Sequence, residues 1–136
     1  MNLNFSGMSM LKYIELKSGY SDNGPAWIAR VHVSRSGQTI YFNGKALKRA
    51  TGGGVSGGNY QDIESGEEYW VSGVKKNGLD RHWAGSGFIA IEASIVGEYL
   101  QLVGATELDR ARFKVINDLH ETSSLVFHDR ENEKFE

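Results

Sequence analysis

Along the first two thirds of the chain, apolar residues recur with a period of two and are separated by short runs of turn formers, the pattern of half-buried strands. In residues 11–17, Ile14 and Leu16 fall on one face and Tyr13, Glu15 and Lys17 on the other. In residues 27–34, Trp27, Ala29, Val31 and Val33 alternate with Ile28, Arg30, His32 and Ser34. Between these runs lies SGYSDNGP, a loop dense in turn formers that holds the only proline, Pro25. Asn43-Gly44 then sits between TIYF and KALK. Asn-Gly is the preferred pair for a type I′ turn because both central residues need positive φ. A two-residue turn sets Phe42 opposite Lys45 and Ile40 opposite Leu47. Ile40, Phe42 and Leu47 then face a core, and Tyr41 and Lys48 face solvent.

The stretch 67–91 concentrates the chemistry. Asn77-Gly78 repeats the hairpin signal, and the same register pairs Lys76 with Leu79, Lys75 with Asp80, Val74 with Arg81 and Gly73 with His82. Lys75 opposite Asp80 is an opposite-charge pair worth ~0.2–1 kcal/mol. One face would carry Tyr69, Val71, Lys75, Asp80 and His82. The other would carry Trp70, Val74, Leu79, Arg81 and Trp83, and its two tryptophans make it the face expected to be buried. After the glycine break Gly85-Ser86-Gly87, FIAIE resumes an apolar strand.

From Ser94 the period changes. Ile95, Val96, Tyr99, Leu100 and Val103 stand at helical spacing, and Gly104 follows where a C′ glycine ends a helix. Thr106, Glu107 and Asp109 provide a cap and an acidic first turn for a second helix, with Leu108, Ala111, Val115, Ile116 and Leu119 as its apolar stripe. The end of the chain, SSLVFHDRENEKFE, opens with an apolar run suited to an edge strand and closes in a polar tail. The chain therefore reads as one mostly β domain with C-terminal helices (α+β) over residues 1–136. It comprises a β-rich body (10–91), a helical part (92–119) and an acidic, partly flexible tail (120–136). The expected architecture is a small antiparallel SH3-like or OB-like barrel, or a bent sheet, with two C-terminal helices.

Composition narrows the function classes. A chain of 136 residues is long enough to bury roughly two thirds of its unfolded surface. It has no cysteine, which excludes disulfides, thiolate zinc sites and cysteine nucleophiles. No basic segment precedes an apolar one at the N-terminus and no run approaches the ~20 apolar residues of a membrane span, so a cytoplasmic location and no membrane partner are expected. The net charge of -2 argues against a dedicated duplex-DNA binder. Residues 1–91 carry ten Lys/Arg against seven Asp/Glu, and residues 92–136 carry five against ten. A mildly basic body thus precedes an acidic C-terminal part, able to screen the body or to attract a basic partner.

Three constellations invite a chemical reading. Gly52, Gly54 and Gly57 spell G-x-G-x-x-G, which in a Rossmann unit cradles a pyrophosphate. The loop leads into YQDIESGEEYW, which is not helical, so no helix N-terminus awaits the phosphate and no cofactor is expected. Asp80 and His82 at i and i+2 are the candidates for a general acid/base pair, but neither a nucleophile nor an oxyanion site accompanies them. The four histidines, His32, His82, His120 and His128, lack ligand spacing, so no metal is expected. The third constellation is a surface of aromatics interleaved with cations: Tyr41 and Lys48 on one hairpin, with Lys45 and Arg49 near, and Lys75, Lys76, Arg81, His82 and Trp83 on the other. Such surfaces bind single-stranded nucleic acid by stacking and backbone charge, or proteins through hot spots.

The strings GYSDNGPAW (19–27), SGQTIYFNGKA (36–46), GEEYWVSGVKKNG (66–78) and DRHWAGSG (80–87) resemble those of a group of small bacterial proteins often labelled 1-deoxy-D-xylulose-5-phosphate synthase. The resemblance covers roughly residues 11–103 and carries over no catalytic residue. The label itself implies a thiamine diphosphate held between large α/β domains and a Gly-Asp-Gly metal motif, and the chain has neither the length nor that tripeptide.

Binding is favoured over chemistry, because it needs only surface residues that the chain has. The leading expectation is a non-catalytic small β-barrel acting through the 69–84 hairpin on protein or single-stranded nucleic acid. One alternative is an immunity or inhibitor-type protein whose acidic C-terminal part covers a basic partner such as a nuclease. The other is a small acid/base enzyme built on Asp80 and His82.

Overall fold

A computed structural model describes residues 7–50, 52, 54–81, 85 and 87–119. The alternating segments form eight strands: β1 (Met8–Leu16), β2 (Ala26–Val33), β3 (Thr39–Phe42), β4 (Lys45–Arg49), β5 (Tyr60–Asp62), β6 (Glu68–Gly73), β7 (Ile89–Glu92) and β8 (Phe113–Ile116). A 3₁₀ turn (Ala93–Ile95) leads into one helix, α1 (Val96–Val103). Strands β1 to β6 each pair antiparallel with the next, and β6 returns to β1, closing a six-stranded barrel. The barrel agrees with the sequence reading. Its connectivity is an up-and-down meander, whereas an OB-fold is a five-stranded Greek key.

Strand β2 divides its pairing between two strands beyond β1. Its C-terminal end pairs with β3, His32 opposite Tyr41, while its N-terminal end pairs in parallel with β7, Ala26 opposite Ile89 and Ile28 opposite Ile91. Strand β8 adds in parallel to β7. Parallel neighbours need a crossover connection, and the 3₁₀ turn with α1 supplies it.

The result is two cores that share β1 and β2. Ile14, Ala29, Val31, Ile40, Phe42 and Leu47 help fill the barrel, with Trp27 packed edge-to-face on Phe42 at 5.3 Å. On the other face of the same two strands, Tyr13, Ala26 and Ile28 meet Ile91, Tyr99 and Phe113 beneath α1. Both alternation classes of β2 are therefore buried, which is why Ile28 is as enclosed as Val31. The buried Glu92 carboxylate ties β7 and the end of the described chain to β2, accepting from the Arg30 amide at 2.9 Å and the Leu119 amide at 2.9 Å.

The first hairpin follows the predicted register, with Asn43 at φ 46° and Gly44 at φ 79°. The second does not. Strand β6 ends at Gly73, and no strand forms among the described residues between it and β7. Only Gly78 of the Asn-Gly pair takes positive φ, and the turn runs from the Lys75 carbonyl to the Gly78 amide at 3.0 Å. The Asn77 side chain accepts from the Leu79 amide, a donor that the hairpin would need, and the Asp80 carboxylate turns inward to accept from the Lys75 amide. The expected burial is also reversed on β6. Tyr69 and Val71 point into the barrel and Trp70 is 40% exposed.

Of the two expected C-terminal helices, α1 forms and ends on Gly104 at φ 72°. The second does not form. Residues 109–112 make a single turn and 113–116 become β8. Phe113, Val115 and Ile116 are strong strand formers, and the open edge of β7 gives their backbone a ladder that an isolated helix would not match. The expected edge strand and tail at 120–136 lie outside the described residues.

Candidate functional site

On the outer wall of the barrel, β1 presents Tyr13 and Glu15, followed by Lys17. Beside it β6 places Trp70 opposite Glu15 and Ser72 opposite Tyr13. The loop after β6 brings Lys75 and Asp80 over this wall, the β1–β2 loop brings Asp22, and the glycine loop brings Gly57. Together they line a pocket of ≈ 300 Å³.

A polar chain runs through the pocket. The Tyr13 hydroxyl donates to Glu15 Oε1 at 2.5 Å. Glu15 Oε2 lies 3.0 Å from Lys17 Nζ, which also donates to Asp22 Oδ1 at 2.9 Å. Burial, then the bond to Glu15, pushes the Tyr13 hydroxyl far above its usual pKa and keeps it a neutral donor. Burial works against the Lys17 charge, yet the hydrogen bonds to Asp22 and Glu15 outweigh it and hold the ammonium above its ordinary value.

Asp80 is 7% exposed. Its Oδ1 accepts the Lys75 amide at 2.8 Å, and its Oδ2 is buried with no hydrogen-bond partner. Burial raises its pKa, and the Lys75 amide and the charges of Lys75 and Arg112 only partly oppose the rise. A carboxyl with a raised folded pKa contributes stability that is complete below its unfolded pKa and is lost as pH rises through the folded value. Wild-type urea stability should therefore fall, relative to Asp80→Asn, as pH is raised from about 3.8. Parallel pH profiles for the two proteins would show that Asp80 carries no such shift.

The structure separates the residues that the sequence pattern grouped. Tyr41 on β3 and Lys48 on β4 lie across the barrel from β6 and β1. Lys76 is exposed on the turn. The Arg81 guanidinium donates to the Asp22 and Gly24 carbonyls, both at 2.9 Å, and so clamps the β1–β2 loop instead of entering the pocket. His82 and Trp83 lie outside the described residues. Lys75 and Asp80 do share one pocket, but through the Lys75 amide and not a cross-strand ion pair.

Tyr13, Glu15, Lys17, Asp22 and Trp70 belong to the pocket and were not singled out from the sequence. The available signal was the parity of Tyr13, Glu15 and Lys17 on β1, which puts them on one face without saying what covers it. The glycine loop proves to serve an internal anion. Glu68 Oε1 accepts the Ser56 amide at 2.9 Å and the Gly58 amide at 3.2 Å. A Cβ on Gly54 would stand 2.0 Å from the same oxygen, so that glycine admits the carboxylate.

No protein-family model matches the chain, and no curated protein or solved structure is detectably similar to it. Among the described residues, no cluster of three His, Asp or Glu is placed to hold a metal ion, and no helix is long and apolar enough to cross a membrane.

Proposed function

We propose that this protein is a non-catalytic binding module that receives a basic side chain of a partner protein in the Trp70 pocket. The observation that carries this reading is an exposed indole beside a buried carboxylate, Asp80, one of whose oxygens has no donor. A guanidinium or ammonium group entering here would gain the face of Trp70 and an acceptor oxygen on Asp80, whose ionised form its charge would favour. The lining sets three carboxyl groups, Glu15, Asp22 and Asp80, against the ammonium groups of Lys17 and Lys75, and Lys17 is already engaged by Glu15 and Asp22. Single-stranded nucleic acid, the other occupant expected from the sequence, would have to bring phosphates against these carboxylates. The barrel wall would then serve as SH3-like and OB-like modules use theirs, and the acidic balance of residues 92–136 favours the same basic partner, as in the inhibitor or immunity-type reading.

The test is a calorimetric titration with a hexa-arginine peptide and, separately, a thymidine oligonucleotide. The peptide should bind more tightly than the oligonucleotide, and Trp70→Ala should weaken it about fivefold, the loss of roughly 1 kcal/mol of cation–π contact. Equal peptide affinity in wild type and variant, or tighter binding of the oligonucleotide, would overturn the reading.

A further inference from the structure

A second cavity, ≈ 350 Å³, lies between Leu79, Arg81, Gly85, Gly87 and Ile89 on one side and the turn before β8 on the other, and shares no lining residue with the Trp70 pocket. Its chemistry differs. Arg81 and Arg112 both line it, with Gly85, Gly87, Ala111 and Leu79 completing much of the wall. Among the described residues no carboxylate lines it, and none forms an ion pair with either arginine.

Both guanidiniums are held by neutral groups. Arg81 is fixed by the Asp22 and Gly24 carbonyls, and Arg112 donates to the Gly78 carbonyl at 2.7 Å. Carbonyls orient an arginine without cancelling its charge, and a guanidinium has more N–H donors than these bonds consume. Arg81 Nε is buried and lacks an acceptor. The charge of Asp80 interacts with that of Arg112, and Glu107 and Asp109 line a neighbouring pocket with Arg112, but none of these three forms an ion pair with it. Two preoriented cations around one cavity, neither in an ion pair with a described residue, repel each other, and an anion between them relieves that repulsion at little ordering cost. The backbone also fits close approach. A Cβ on Gly85 would meet the Asp22 carbonyl at 2.4 Å and the Arg81 stem at 3.0 Å, so the loop packs directly on the arginine, and Gly87 takes φ +96°.

We propose that Arg81 and Arg112 form a binding site for a small oxyanion, a phosphate or a carboxylate group. The planar fork of each guanidinium matches both groups, and the exposed Leu79 at the rim offers an apolar contact to whatever carries the anion. This site is independent of the Trp70 pocket and does not rest on the function proposed for it.

The experiment is an amide-resolved NMR titration with sodium phosphate and with sodium acetate, using sodium chloride at matched ionic strength as the control. Saturable shifts are expected at Gly85, Gly87, Ala111 and Arg112 with phosphate, acetate or both, and chloride should not reproduce them. Arg81 holds the β1–β2 loop, so the variants are placed elsewhere. Arg112→Gln should weaken binding at least about tenfold, the loss of one charge-assisted pair. Ala111→Asp changes an exposed position and sets a carboxylate at the rim, so it should abolish binding with the fold kept. Trp70→Ala should leave anion binding unchanged, which separates failure of this site from failure of the other. No saturable shift with either anion, or wild-type affinity in a folded Ala111→Asp protein, would overturn the proposal.

Discussion

Ile28→Ala should cost about 2–5 kcal/mol of folding free energy, a large share of the roughly 5–15 kcal/mol that such a domain possesses. Ile28 is fully buried, with Tyr13 of β1 and Ile91 of β7 as its neighbours across the two ladders, and Tyr99 and Phe113 in the same cluster. Truncation removes three carbons from a site walled by two β-sheet ladders and α1, which have little freedom to collapse around the void. The substitution also tests the architecture. In a barrel with one buried face, Ile28 lies on the side opposite Ala29 and Val31 and its loss would be nearly neutral. Urea denaturation monitored by tryptophan fluorescence should show a lower midpoint with an unchanged slope. Val55→Ala, at a fully exposed loop position, should stay within about 0.5 kcal/mol of wild type and serves as the control. If Ile28→Ala behaves like Val55→Ala, the second core is wrong.

Glu68→Ala should cost about 3 kcal/mol. Its carboxylate is the acceptor for the Ser56 and Gly58 amides, and hydrogen bonds to a charged group contribute roughly 1.5–3 kcal/mol each, short of additive when they share one oxygen. Removal leaves the Gly58 donor, within a buried contact, without an acceptor. Glu68→Gln keeps an oxygen but loses the charge, so its loss should be about half as large. The diagnostic measurement is amide hydrogen exchange, in which Ser56 and Gly58 should lose protection selectively in Glu68→Ala while the β3–β4 amides keep theirs. Unchanged exchange at those two amides would mean that the glycine loop is held by something other than Glu68.

The faces of β1 to β4 were legible because side-chain direction alternates within a strand, so Ile14, Val31, Ile40 and Leu47 declare a common side without any knowledge of the partner strands. The Asn43-Gly44 register was legible because a positive-φ pair admits few turn geometries. The same dipeptide misled at Asn77-Gly78, where the Asn77 and Asp80 side chains take the Leu79 and Lys75 amides. Local pattern does not register that competition, since it depends on whether Asp80 can be buried against the rest of the fold. The second helix failed for a related reason. The stripe from Leu108 to Leu119 fits helical spacing, but β7 has an edge that only tertiary structure creates, and Phe113 to Ile116 complete it.

The candidate site divides in the same way. From the 69–84 segment, the chain alone marks Lys75 and Asp80, which do line the Trp70 pocket, and Arg81, which lines the other cavity. It cannot supply Tyr13, Glu15 or Asp22, which arrive from β1 and its following loop some sixty residues earlier. What the sequence determined by itself is what short-range geometry encodes: a β-rich body, the inward faces of its first strands, one hairpin register and one helix stop. What only the tertiary structure decided is closure into a meander barrel, the second core on the outside of β1 and β2, and the placing of Asp80 and Arg81 in separate cavities. Those outcomes depend on which distant segment covers a given face, and burial, desolvation and charge pairing are set by that cover rather than by the residue beneath it.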